Sequence, residues 1–197
     1  MTFTDPTAPV PDGLITGEFV LRPLRAADAA LDWDAVMETR ETLRTWEQSE
    51  WPTDDFTVEE NRADLVGLEE RHEAHRAFTY TVLRPDGLEA LGCVYVFPTD
   101  ATFLARSTVT PLGETRWADV GAVVYFWARR SAVERGLDAR LLGALRAWFS
   151  DDWDVGRAVV VASEPFRQQV ELIESTDLSL LFELREPDKP ERYLIYG

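Results

Sequence analysis

The sequence is short of several residue types, and each shortage narrows the class of protein. A single cysteine, Cys93, is too few for an intrachain disulfide, and its place in the apolar run LGCVYVF predicts a buried strand residue. No apolar run approaches the ~20 residues that a transmembrane helix requires, so we expect no membrane partner. Lysine occurs only at Lys189, and the formal net charge is -16. We therefore expect no nucleic acid partner, because binding phosphates requires a basic surface.

Histidine is scarce as well, and the N-terminus lacks the pattern of a leader peptide. His72 and His75 stand in ERHEAHR, where a solvated helix face is favoured over a metal site, since a metal needs convergent ligands. The segment MTFTDPTAPVPDG has neither a basic region nor an apolar stretch, so it does not resemble a signal peptide. We predict a flexible lead-in over residues 1–17, one domain over residues 18–197, and a cytoplasmic location.

Apolar periodicity predicts the element order β-α-α-β-β-β-α-β-α-β-β, hence one α/β domain. VGAVVYFWA is a nearly continuous apolar run, which is typical of a central strand that is buried on both faces. The next helix carries leucines at three- and four-residue spacing, and Thr57 with Glu60 predicts a capping box at the start of the second helix. Residues 99–119 are predicted to form a long loop.

Several segments carry a family resemblance. FVLRPLRAADAALDWDAV, RADLVGLEERHE and LGCVYVFP, together with an apolar strand that enters a helix through an arginine-rich turn, resemble the GNAT superfamily of acyl-CoA-dependent N-acyltransferases. The likeness is to its ribosomal-protein N-terminal acetyltransferase branch, and it spans residues 19–197. It implies a GNAT-like α/β fold with a mixed, mostly antiparallel central sheet flanked by about four helices. It also implies acetyl-CoA as cosubstrate, whereas the expectation of no metal comes from the residues themselves.

The resemblance implies an acyl-CoA site where the central strand meets the following helix. Of the family's pyrophosphate-loop pattern only Gly136 is kept, because Val133 replaces the first polar residue and Asp138 replaces the last small one. Five arginines against two carboxylates in residues 121–148 favour an anion site, and a solvated helix face is the alternative. The cofactor-binding candidates are Trp127, Ala128, Arg129, Val133, Glu134, Arg135, Gly136, Leu137 and Asp138.

Neither of the family's usual catalytic groups is present at its aligned position. Apolar residues stand where many members have a strand carboxylate, and Ile173 stands where many have a tyrosine. Asp119 is the nearest candidate proton acceptor, and Tyr125 is a candidate acid if it faces the cleft rather than the core. Trp46 and Trp51 bracket a helix break, where the resemblance implies substrate contacts and helix packing is the alternative.

Two functions follow. The first is an N-acetyltransferase that moves acetyl from acetyl-CoA directly to a primary amine of a small molecule or peptide. The second is a catalytically inactive binding or regulatory module with the same fold, which the departures from the family pattern favour. The expected partners are CoA and an amine, and the final strands with residues 99–119 are the candidate surfaces of a homodimer.

Overall fold

Nine strands form one sheet in the computed structural model, which describes residues 3–197. The strands in chain order are β1 (Leu14–Ile15), β2 (Val20–Pro23), β3 (Phe78–Leu83), β4 (Ala90–Phe97), β5 (Thr108–Pro111), β6 (Val120–Ala128), β7 (Arg157–Ser163), β8 (Leu180–Arg185) and β9 (Tyr193–Tyr196). Their spatial order is β1-β2-β3-β4-β6-β7-β9-β8-β5. Only β6 and β7 are parallel among these neighbours. The predicted mixed, mostly antiparallel sheet is confirmed.

Six helices accompany the sheet within the described residues: α1 (Ala29–Glu47), α2 (Val58–Glu73), α3 (Thr102–Arg106), α4 (Arg130–Val133), α5 (Leu137–Asp151) and α6 (Arg167–Glu174). Four of them, α1, α2, α5 and α6, are the flanking helices that the sequence predicted. The capping box at the start of α2 is confirmed, since Thr57 accepts a hydrogen bond from the Glu60 N–H and the Glu60 carboxylate accepts one from the Thr57 N–H. Among residues 3–197 no helix is long and apolar enough to cross a membrane.

Strand β6 lies between two apolar layers. Ala122, Val124 and Phe126 belong to the core under α5 and α6, whereas Tyr125 and Trp127 belong to the core under α1 and α2. Successive side chains of a strand point to opposite faces, so a strand that is covered on both sides needs apolar residues at every position. This requirement explains the unbroken run VGAVVYFWA.

The parallel pairing of β6 with β7 ends partway along both strands. It runs from Val120 opposite Arg157 to Val124 opposite Val160, after which β6 pairs only with β4 and β7 only with β9. A split therefore opens in the middle of the sheet. At the paired end the chain that leads into β7 approaches β6 so closely that a Cβ on Gly121 would lie 1.4 Å from the carbonyl oxygen of Val155.

Two predicted segments carry more structure than the sequence suggested. The prediction of a loop over residues 99–119 is wrong, because this stretch contains α3 and β5, and β5 pairs with β8 at the sheet edge. Its β-branched run from Thr108 to Thr110 suits an edge strand. The residues ahead of the predicted domain boundary include β1, which pairs with β2, and Pro11, whose carbonyl accepts a hydrogen bond from Tyr80.

The two histidines do not share a solvated face. His72 is half-buried against Phe78 and Tyr80, and its Nδ1 lies 3.2 Å from the Thr79 N–H. The Nδ1 atom of His75 lies 2.8 Å from the hydroxyl oxygen of Thr4, in the segment ahead of β1. Both imidazoles therefore take part in packing.

Candidate functional site

A cavity of about 440 Å³ lies on the side of the sheet that α1 and α2 cover. Its size falls within the range of small-molecule sites. Helices α1 and α3, strands β4, β6 and β9, and the segment that follows α1 all contribute aromatic side chains to its wall. These side chains are Trp46, Trp51, Tyr95, Phe97, Phe103, Tyr125 and Tyr193.

Tyr125 lies at the centre of the aromatic wall and directly beside the split. It is the first residue of β6 beyond the last pair with β7. Four aromatic rings surround its own ring at centroid distances of 5.9–6.3 Å: Phe97, Phe103, Trp46 and Tyr193. Its hydroxyl is buried and has no hydrogen-bond partner among residues 3–197. Burial raises the pKa of this phenol well above its usual value, so Tyr125 stays protonated and can donate a hydrogen bond.

Carboxylates border the aromatic wall. Glu47 is paired with Lys189 at 2.6 Å, whereas Glu186 forms no ion pair within residues 3–197. Burial raises the pKa of Glu186, and the nearby negative charges of Glu47 and Asp188 raise it further against the opposite effect of Lys189. Burial and Glu60 likewise raise the pKa of Asp64, while Arg71 on the same helix lowers it. The cavity is therefore both aromatic and acidic.

The split between β6 and β7 is filled by α6. Gln169 is buried, and its Nε2 donates a 2.9 Å hydrogen bond to the carbonyl of Phe126, while its Oε1 has no partner among the described residues. The space that remains at this point is only about 10 Å³, and Trp46 lines both this small space and the aromatic cavity. Trp46 therefore lies between the split and the cavity.

The turn after β6 is occupied by groups from α1. The Glu38 carboxylate accepts hydrogen bonds from the Ser131 N–H and from the Arg129 guanidinium, and Thr39 accepts one from the Arg130 N–H. Partial burial acts to raise the pKa of Glu38, but the hydrogen bonds from Ser131 and Arg129 outweigh burial and hold it below its ordinary value. Asp34 adds a second ion pair to Arg129 at 2.7 Å. An internal carboxylate therefore already satisfies the start of α4.

Gly136 and Asp138 lie at the start of α5, where one residue has a left-handed backbone and the other has a buried carboxylate. Gly136 has a φ of +74°, which favours glycine, and directly precedes the first residue of α5. Asp138 is buried and accepts a hydrogen bond from Gln168 of α6. Its carboxylate therefore points toward the split rather than outward.

The arginines around this turn differ in their availability. Arg140 is paired with Glu18 at 2.6 Å, and Arg146 is paired with Asp177 at 2.7 Å. Arg130 and Arg135 are exposed and form no ion pair within residues 3–197. Two of the five arginines thus remain for an added anion.

The structure brings together some of the sequence-predicted site residues and separates others. Trp46, Trp51 and Tyr125 line one cavity, although Tyr125 is also part of the core. Ala128 faces the split, because the Arg129 N–H bonds Leu91 of β4 and successive backbone groups alternate in direction.

The remaining candidates lie around the turn or away from it. Trp127 directs its indole Nε1 to the Tyr95 hydroxyl at 3.3 Å. Val133 and Leu137 are partly or fully covered beside the split, and Glu134 is exposed.

Asp119 lies apart from the cavity. It is exposed, pairs with Arg116 at 2.6 Å and stands at the opposite end of β6. Six residues at about 3.3 Å each separate it from Tyr125 by roughly 20 Å. The Arg116 side chain and N–H hold the pKa of Asp119 below its usual value.

Three residues with evident roles were missed from the sequence. Glu38, Gln169 and Glu186 reach the site from α1, α6 and the segment between β8 and β9. No short motif marks them, because each acquires its position from tertiary packing.

No known family profile and no curated protein matches this sequence. Solved structures do match it. The ribosomal L7/L12 α-N-protein acetyltransferase RimL superposes with a TM-score of 0.67 at 15% identity, covering 93% of this chain and 91% of that one. The ribosomal-protein-S5-alanine acetyltransferase from Vibrio fischeri gives 0.65 at 16% identity, with 93% and 94% covered.

A third similar structure has a different target. The microcin C7 self-immunity acetyltransferase MccE, solved with acetyl-CoA and AMP, gives a TM-score of 0.65 at 12% identity and covers 95% of this chain and 96% of that one. At such identities the likeness concerns the fold. It extends over nearly the whole chain. The chain therefore has the fold of the GNAT acetyltransferases, as the resemblance in its sequence implied.

Proposed function

We propose that this protein transfers an acetyl group from acetyl-CoA to a primary amine. The observation that carries the proposal is that Trp46 lines two adjacent spaces, the split beside β6 and the aromatic cavity over Tyr125. A donor bound along the split and an acceptor bound in the cavity would approach each other there. Structures with this fold have been solved with CoA, for RimL, and with acetyl-CoA, for MccE.

The residues around the split suit the amide-containing arm of acyl-CoA. The Oε1 atom of Gln169 is buried without a donor, and a buried acceptor in that state gains from an incoming N–H. The backbone of Ala128 faces the same space, and a helix N-terminus such as that of α5 favours a bound anion. Gln168 and Gln169 must rotate to admit the arm, because only about 10 Å³ is open between them and α1.

Acyl-CoA supplies the activated acyl group. This chain positions the two substrates, provides a hydrogen-bond donor and surrounds the acceptor with aromatic side chains that exclude water. The Tyr125 hydroxyl stays protonated and is free to donate to an oxygen or sulfur on which negative charge develops. Burial beside the split removes water from the reacting amine and so favours its neutral, nucleophilic form. Water takes the proton in this scheme, since Asp119 is roughly 20 Å away along β6.

The first experiment is a thermal-shift titration with CoA and acetyl-CoA at low and moderate salt. Ligand at ~100 times its Kd stabilises the folded state by about 2.7 kcal/mol, which raises the Tm by roughly 5–10 °C for a chain of this length. Arg135→Glu should reduce the shift at low salt, because Arg135 is exposed and unpaired beside the turn. Arg76→Glu is the matched control, since Arg76 is exposed and lies at the end of α2.

A second function is favoured by the carboxylates at the turn. Glu38 occupies the N–H group of Ser131, and Asp138 points inward from α5, where the resemblance implies a diphosphate. A binding module that has lost catalysis would keep this arrangement. An unchanged Tm with both CoA and acetyl-CoA would favour that module, and acetyl transfer from acetyl-CoA to any amine would reject it.

A further inference from the structure

We infer that the acceptor is a small molecule with a second, cationic ammonium group, which the aromatic cavity holds between its rings and Glu186. That this molecule is the acetyl acceptor rests on the function proposed above. The cation site itself rests on the cavity alone, so the two can be tested separately.

Aromatic rings form much of the cavity wall. Tyr125, Tyr193 and Trp46 are neighbours, with centroid distances of 6.3 Å from Tyr125 to each of the other two. Trp51 belongs to the same wall and is only partly buried. Cations bind favourably over the faces of such rings, and clusters of several rings are the usual way to recognise alkylated ammonium groups. The wall therefore suits a cation better than a neutral polar group.

The charged side chains that line the cavity are mostly negative. Three carboxylates, Glu47, Asp64 and Glu186, and one guanidinium, Arg71, line it. Lys189 acts on Glu186 only at a distance and forms no ion pair with it among the described residues, because its Nζ is bound to the carboxylate and the backbone carbonyl of Glu47. A half-buried carboxylate without a cation is costly, and a ligand cation would relieve that cost. Glu186 is thus the group that we expect a bound ammonium to approach.

The cavity has two ends, one beside the split and one beside Glu186. Tyr125 and Trp46 adjoin the split, where the amine to be acetylated must lie, whereas Glu186 comes from the chain between β8 and β9. A volume of about 440 Å³ holds a small molecule that reaches both ends. The fitting class is a diamine, or an amine with a quaternary ammonium group, joined by an apolar spacer.

The test uses probes that cannot be acetylated at nitrogen. Choline and its neutral isostere 3,3-dimethylbutan-1-ol are titrated against the full chain, and the quenching of tryptophan fluorescence is followed, because Trp46 and Trp51 line the cavity. We expect choline to bind at least tenfold more tightly than the alcohol. Equal affinity for the two probes would overturn the inference.

Glu186→Gln should weaken choline binding about fivefold or more while leaving the affinity for the alcohol within twofold. Asp188→Asn is the matched control, since it removes the same charge from an exposed residue of the same segment, outside the cavity wall. We expect no change beyond twofold in this control. An equal loss in both variants would mean that choline senses only the overall charge, and the inference would be wrong. The Tm of each variant checks that it is folded.

The two proposals fail in different ways. Choline binding that depends on Glu186, without any shift from CoA or acetyl-CoA, would remove acetyl transfer and leave the cation site. A shift with acetyl-CoA, together with equal binding of choline and the alcohol, would remove the cationic acceptor and leave acetyl transfer.

Discussion

Asp32 offers a sharp test of the packing between α1 and α2. Its side chain is 4% exposed, and its carboxylate accepts a 2.9 Å hydrogen bond from Asn61, whose amide also bonds the carbonyl of Ala29. Burial raises the pKa of Asp32 from 3.8 to about 6, while the hydrogen bond from Asn61 opposes the rise and the charges of Asp28 and Asp64 add to it. The carboxylate is therefore ionised at neutral pH at a cost to the folded state.

The sign and the size of that cost follow from linkage. Between pH 4 and pH 6 the folded chain holds a proton on Asp32 that the unfolded chain has released, so the free energy of unfolding falls as the pH rises through this window. The loss levels off above about pH 7. A shift of about two pKa units corresponds to about 2–3 kcal/mol. Asp32→Asn keeps an acceptor oxygen for Asn61 and removes the charge, and we expect it to gain about 1–2 kcal/mol at pH 7.5.

Urea unfolding of wild type and variant between pH 4.5 and pH 8 measures this effect. The difference between the two free energies of unfolding cancels the titration of the other acidic groups. We expect this difference to grow by about 1–2 kcal/mol from pH 4.5 to pH 7 in favour of Asp32→Asn. The exposed Asp55→Asn is the control, because it removes the same charge from the surface. A difference for Asp32→Asn that does not vary with pH would refute the reasoning.

Two further predictions concern β6. Gly121→Ala should destabilise the fold by about 3 kcal/mol, because its Cβ would meet the Val155 carbonyl. Gly143→Ala, with open space on the exposed face of α5, should gain about 0.5–1 kcal/mol. Equal Tm values for the two variants would contradict the close approach of the strands. Tyr125→Phe should leave the Tm unchanged or slightly higher, since the hydroxyl has no partner, and should lower acetyl transfer about 10²-fold. Unchanged turnover of acetyl-CoA with an amine acceptor would exclude Tyr125 as a donor.

The fold was predictable from local patterns where those patterns are strong. The apolar run of β6, the leucine spacing of α5 and the Thr57 capping box each lie within one short stretch of sequence, and each is present in the structure. Strand β5 was missed, because a four-residue edge strand with mostly exposed side chains has no apolar alternation to mark it.

The candidate site was only partly predictable. Trp46, Trp51 and Tyr125 stood out because large aromatic residues near a helix break or on a central strand are visible in the sequence. Glu186 and Gln169 are an ordinary acid and an ordinary amide until packing buries them. The split begins where the pairing of β6 with β7 stops after Val124, and no residue type in the sequence indicates where the pairing of two strands ends.

Partial pairing of β6 gives this sheet a free edge in its interior. Unpaired strand edges usually lie on the outside, where they can join the strands of another molecule and start aggregation. The outer strands here, β1 and β5, are only two and four residues long, and β5 ends in a proline. The inner edge is covered by α6, and the Gln169 side chain already takes one carbonyl on it. After small side-chain movements this edge has room for a narrow molecule with amide groups, but not for a strand from another protein. The sheet can therefore offer backbone hydrogen bonds to a ligand without promoting aggregation.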